Sequence, residues 1–219
     1  MLIVENENEV RITLDLNTIG YIARAKRDDR HAPSITSQHA ECIRPYGELI
    51  GFGHRRGVAT GGNLCRSWNL IDMNRNGTTY EVEDLVNHVR CNPVPQSRED
   101  AKKMISADVA KELDFMSAVL IINTPTESTA LEFVRAWEAL KENPKSFNIV
   151  GGNCAMRSHE MFVKSGIIKK GSGILTPNQL FHYLARSLEN KKGYAVRKYF
   201  GYIGFEKTNG SGYDLIIKF

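Results

Sequence analysis

Neither a long apolar run nor a lopsided charge marks this sequence. No stretch approaches the ~20 consecutive apolar residues that a membrane-crossing helix requires, so no transmembrane segment is expected. The opening Met-Leu-Ile-Val-Glu-Asn-Glu-Asn-Glu carries neither the basic nor the apolar region of an export signal, and the expectation is synthesis in the cytoplasm. Lys plus Arg at 29 against Asp plus Glu at 25 leave a net charge of +4, too small to imply a polyanionic partner without a concentrated patch. Lys169, Lys170, Lys191, Lys192 and Arg197 lie scattered among apolar residues, so no nucleic acid is expected. Cysteine is scarce: Cys42, Cys65, Cys91 and Cys154 form no CxxC pair, which speaks against a disulfide framework or a redox couple. The string His39-Ala40-Glu41-Cys42 has ligand-type residues, but on a strand positions i and i+3 face opposite sides, so structural zinc is not expected either.

What is present suits one globular domain spanning residues 1–219, with a hydrophobic share of 42% to build a core. Val10, Ile12, Leu14 and Leu16 alternate with polar residues and predict a strand with one buried face. From Ile22 to Gln38 the pattern dissolves into charged and turn residues. Residues 39 to 54 read as a hairpin around Arg44-Pro45-Tyr46-Gly47, and residues 57 to 78 as loop. Phe115 to Ile122 is an apolar run of strand length. It leads into Thr124-Pro125-Thr126-Glu127, where Thr124 is the expected helix cap, and Asn143-Pro144 stops that helix. A second helix opens at Asn153 and closes at Gly166, and a third opens at Thr176-Pro177-Asn178-Gln179. Tyr199 to Phe205 and Tyr213 to Phe219 form a closing hairpin. Strands first, helices next and a last hairpin make the class α+β.

The chemistry concentrates at Asn153-Cys154. Asn153 is a favoured N-cap, which puts Cys154 at the first helical position. Unpaired N–H groups at such an end favour thiolate over thiol, so the Cys154 pKa is expected to fall toward neutrality. Gly151 and Gly152 let a substrate approach the backbone, and nearby N–H groups suit an oxyanion. A base must come from elsewhere. Of the six histidines, His159 lies five residues along the same helix and points away, and His182 sits among apolar neighbours in the third helix. If the hairpin turn is centred between Tyr46 and Gly47, His39 falls directly across from His54, so that one imidazole could act as base and the other orient it.

These residues resemble a family. His39-Ala40-Glu41-Cys42-Ile43 with Ile50-Gly51-Phe52-Gly53-His54, followed by Phe147-Asn148-Ile149 and Asn153-Cys154, looks like a circularly permuted NlpC-type papain-like cysteine hydrolase. In such members the histidine strand precedes the cysteine helix, and among them are antibacterial effectors delivered by type VI secretion. The resemblance implies an antiparallel sheet with helices packed on it, and a peptidase or amidase acting on peptidoglycan stem peptides. It implies Cys154 as nucleophile, His39 as base, His54 as the third polar residue, and Asn153 at the helix cap beside the oxyanion site. It implies no metal or organic cofactor. An immunity protein, a secretion-apparatus component and action in a target cell's periplasm also follow from it. Where the family usually has Gly before the histidine this chain has Gln38, and His31, which also precedes an alanine, is the alternative base. A lipid acyltransferase or thioesterase on the same fold, and a non-catalytic binding domain, are the competing expectations.

Overall fold

The computed structural model describes residues 1–26, 39–54, 75–81, 116–147, 152–173 and 176–218. The strands are β1 (Leu2–Glu5), β2 (Glu9–Thr13), β3 (Thr18–Lys26), β4 (His39–Ile43), β5 (Leu49–His54), β6 (Arg75–Glu81), β7 (Met116–Asn123), β8 (Ser146–Phe147), β9 (Ala195–Lys207) and β10 (Tyr213–Lys218). The helices among the described residues are α1 (Glu127–Glu142), α2 (Cys154–Lys164) and α3 (Pro177–Leu188). Strand neighbours run β1-β2-β10-β9-β7-β3-β4-β5-β6-β8, and every pairing is antiparallel. The class is therefore α+β, as the element order predicts.

The long strand β9 belongs to two ladders. Residues 195–201 pair with β7, and residues 202–207 with β10. Gly201 stands at the changeover, where a Cβ would lie 2.3 Å from the Lys218 carbonyl oxygen, so only glycine admits the close approach. The ladder β1-β2-β10 thereby curls back over the rest. Val10, Ile12, Leu215 and Ile217 of that ladder pack with Ile22, Ile43, Leu49, Val119 and Ile121 on one face of the larger ladder. Its other face carries Ala40, Cys42, Ile50, Phe52, Ala118 and Leu120 beneath the three helices, and Phe133, Trp137, Phe162 and Leu184 complete that core.

Each helix begins where a short side chain can accept from its unpaired N–H groups. For α1 the cap is Thr126, which accepts from the Thr129 N–H, and not the expected Thr124, whose hydroxyl donates instead to the Asn17 carbonyl. Thr124 is tied to the strand side of the junction, so the helix starts two residues later. Asn143 ends α1 as expected. Thr176 and Gln179 form a reciprocal capping box at α3.

Two expectations on the strand side need correction. The segment from Ile22 onward is not the start of an irregular stretch: β3 runs to Lys26 between β7 and β4. Residues 75–78, expected as loop, are in β6, while residues 57–74 lie outside the described residues.

Candidate active site

Strand β4 and the start of α2 come together through one contact. The Ala40 N–H donates to Cys154 Sγ at 3.4 Å. Asn153 caps α2 as the sequence predicts, its Oδ1 accepting from the Met156 N–H at 2.9 Å and its carbonyl from the Arg157 N–H at 3.0 Å. Cys154 thus occupies the first helical position, and α2 lies over Ala40, Cys42 and Phe52 of the sheet. Ser158, one turn on, is fully buried in the same seam, while Arg157 sets its guanidinium over the Phe52 ring at 5.7 Å from the centroid. The salt-bridged Glu160, within reach of Lys145, Arg157 and Lys164, fixes the outer face of the helix.

The expected electrostatics are reversed. Cys154 is 2% exposed, and burial pushes its thiol up to about 11. Hydrogen bonds from the backbone N–H groups of Ala40, Ala155 and Cys154 itself pull the other way, and the nearby Glu41 adds to the rise. The helix end does favour the thiolate, but a terminus contributes only about 0.3–1 kcal/mol at a surface, whereas removing a charge from water can move a pKa by roughly 3–5 units. The resting form at neutral pH is the thiol. Cys42, one residue past Glu41, is pushed far higher by burial, with Ser158 and Trp137 opposing, which marks it as an inert core residue. Tyr21 closes the inner side of the seam. Its hydroxyl donates to the Pro177 carbonyl at 3.0 Å, and its phenol is held well above its usual range by burial and then by the two sulfurs.

The candidate bases fall as follows. His39 opens β4, next to the residue that meets the sulfur, and is 1% exposed. His54 closes β5, paired with Gly77 of β6. The two are not directly opposite each other. Cys42 faces Ile50 and Glu41 faces Gly51, a register one residue off the one that would set His39 against His54. The turn is centred on Tyr46, which adopts φ 63° and is followed by Gly47 at φ 77°, and Arg44 N–H closes the loop on the Glu48 carbonyl at 2.7 Å. His31 lies outside the described residues, as do Gly151, Cys65 and Cys91. A Cβ at Gly152 would lie 2.8 Å from the Arg157 guanidinium and 3.1 Å from the Ser146 carbonyl oxygen.

His159 is accounted for by structure, as its spacing from Cys154 predicts. Its Nε2 accepts from the Gly171 N–H at 3.2 Å, its ring meets Tyr183 edge-on, and burial, then Lys170, lowers its pKa. Glu41 enters the sequence reading only as a member of a ligand-type string, and the structure buries it beside the sulfur's strand contact. It is 1% exposed in mid-strand, and its position between His39 and Cys42 was the one available signal. Among the described residues no group of three or more His, Cys, Asp or Glu could hold a metal ion, and no helix is long and apolar enough to cross a membrane.

Comparison with protein-family models, with curated proteins and with solved structures returns no match to this chain.

Proposed function

We propose that this protein is a cysteine hydrolase of papain-like, circularly permuted design, with Cys154 as nucleophile and an imidazole of the β4–β5 hairpin as its base. The observation that carries the reading is the Ala40 N–H···Sγ contact, which sets a sulfur at a capped helix start against the strand that opens with His39. The antiparallel sheet with helices on one face is consistent with that design. The substrate class, amide bonds of peptidoglycan stem peptides, and the role of antibacterial effector rest on the resemblance of the histidine strand and the Asn-Cys junction alone.

Because the thiol is the resting form, the base takes its proton as attack occurs, and no stored ion pair is needed. The Sγ–H proton passes to the imidazole while the sulfur bonds to the amide carbon. The tetrahedral adduct collapses with cleavage of C–N, and the imidazolium gives its proton to the departing amine. Water then adds to the thioester, losing a proton to the imidazole. Breaking C–S releases the acid and returns the proton to sulfur.

Purified sacculi and phospholipid vesicles are incubated separately with the full chain and with Cys154→Ala, and products are read by mass spectrometry. New stem-peptide fragments from sacculi are expected with the wild type, with a loss of at least about 1,000-fold in the variant, itself checked as folded by circular dichroism. Altered vesicles with intact sacculi would move the substrate to lipid acyl groups. Unchanged masses in both, or undiminished turnover by Cys154→Ala, would overturn the reading.

A further inference from the structure

The chain that leaves the end of α2 is held by two kinds of bond. Its first part is fastened by groups that do not titrate near neutrality. The Ile167 and Ile168 N–H groups donate to the Phe162 carbonyl at 3.1 and 3.3 Å, and both side chains are buried in the core beneath the helices. Lys191 Nζ donates to the Ile167 carbonyl at 2.6 Å, and the Tyr183 hydroxyl of α3 donates to the Lys169 carbonyl at 3.0 Å. Beyond Lys169 a bond of another kind takes over, from the Gly171 N–H to His159 Nε2 at 3.2 Å.

The direction of that bond fixes the state of its acceptor. A backbone N–H can only donate, so Nε2 must offer a lone pair, and the ring is neutral with its proton on Nδ1. An imidazolium carries N–H on both nitrogens and would turn a donor toward the Gly171 N–H. The bond is therefore open to the base form alone. Burial disfavours the charged ring and, with Lys170 of the same segment, holds its pKa below the ordinary 6.5. From α3 the Tyr183 ring meets the imidazole edge-on, with centroids 5.8 Å apart. His182 and Arg186 flank Tyr183 on that helix, and Arg186 Nε donates to the His182 carbonyl at 3.2 Å. On α2 itself the next residue, Glu160, is engaged by Lys145, Arg157 and Lys164.

The part of the segment that follows Gly171 forms a wall. Ser172 and Gly173 line a cavity of about 480 Å³ together with Gln179, His182, Tyr183 and Arg186 of α3. The α3 side of this cavity is set by the core, through the buried Leu180, Phe181 and Leu184, and by the capping box at Thr176. The opposite side depends on Gly171 for its tie to α2.

We propose that His159 is an acid-released latch: neutral, it fastens residues 170–173 to α2 as one wall of the cavity beside α3, and on protonation it lets that wall go. Residues 166–169 stay anchored in both states. The device stands whether or not Cys154 is a nucleophile. A histidine whose folded value lies below its unfolded one stabilises the fold fully above about 6.5 and loses that contribution as pH falls through the folded value. The latch is thus shut at neutral pH and opens on the acid side of 6.5.

Amide hydrogen exchange of the full-length chain is followed residue by residue by NMR from about pH 7.5 to about 4.5, across the titration range of imidazole. The samples are the wild type, His159→Gln, His159→Ala and His182→Gln, and the His159 ring is titrated alongside through its carbon-bound protons. In the wild type the Gly171 amide should hold a constant protection factor at neutral pH, then lose up to roughly tenfold per pH unit once the ring protonates, as uptake of one proton requires. The Ile167 and Ile168 amides should keep theirs. His159→Gln, whose side-chain oxygen can accept at any pH, should abolish the step, and His159→Ala should leave Gly171 unprotected throughout. His182→Gln should leave the step in place. Protection of Gly171 that stays flat or departs from the His159 titration overturns the latch. So does a step that survives His159→Gln or vanishes in His182→Gln, or a parallel loss at Ile167 and Ile168.

Discussion

The starts of α2 and α3 are built from the same parts and end in different surroundings. Asn153 and Thr176 each accept a hydrogen bond from the third residue of their helix, Met156 at 2.9 Å and Gln179 at 3.2 Å. The α3 start faces solvent, and Gln179 returns a bond to the Thr176 N–H at 3.0 Å. The α2 start is pressed against β4, with Asn153 and Cys154 both buried. A cap is a local device that says where a helix begins. What the terminus can do chemically depends on what the fold lays against it, and at α2 that neighbour is an interior strand, β4, that supplies an N–H donor and excludes water.

Removing each cap tests how far burial amplifies the same bond. Asn153→Ala should cost about 1–2 kcal/mol, at the upper end for a cap, because the Met156 N–H loses its partner inside the protein. Thr176→Ala should cost about 0.5–1 kcal/mol, since solvent can replace the lost acceptor. Urea denaturation of both variants decides this, and equal losses would dissolve the contrast. The smallest effect is expected at the outer face of α2. Burial works against the Glu160 carboxylate, but hydrogen bonds from Lys145, Arg157 and Lys164 outweigh it and hold the group down at about 2. A carboxylate depressed in the folded chain stabilises it above its unfolded value of about 4.3 and loses that contribution as pH falls toward about 2. Glu160→Gln should therefore flatten the acid limb of the thermal midpoint between about pH 4.3 and 2 and leave it near the wild type at low pH. The half-exposed setting keeps the difference at neutral pH small.

Much of this molecule was legible before folding. The three helices announce themselves through caps and stops, because Asn153, Gly166 and the Thr176 to Gln179 box act within a few residues. Strand β2 shows its alternation because only one side is buried. Strand β3 hides for the opposite reason. Ile19, Tyr21, Ile22 and Ala23 are buried on both faces between two cores, so polar residues never mark an outside. The hairpin register was misread because Tyr46, a non-glycine residue, takes a left-handed conformation that no local signal announces. The site was legible only in part. Asn153 and Cys154 stand where the spacing puts them, but the sulfur's acidity is set by long-range burial, which no segment of the sequence contains.

The strand order also sets a long-range closure. Among the described strands β2 lies between β1 and β10, so residues 9–13 must meet residues 213–218. Val10 and Ile12 share their core with Ile22, Ile43, Leu49, Val119 and Ile121 as well as with β10, so their side chains find apolar company in the middle of the chain while the backbone ladder still lacks one partner. Closures between segments distant in sequence are slow to find, and the joining of β10 is therefore expected to be the step that zips the ladder shut late in folding.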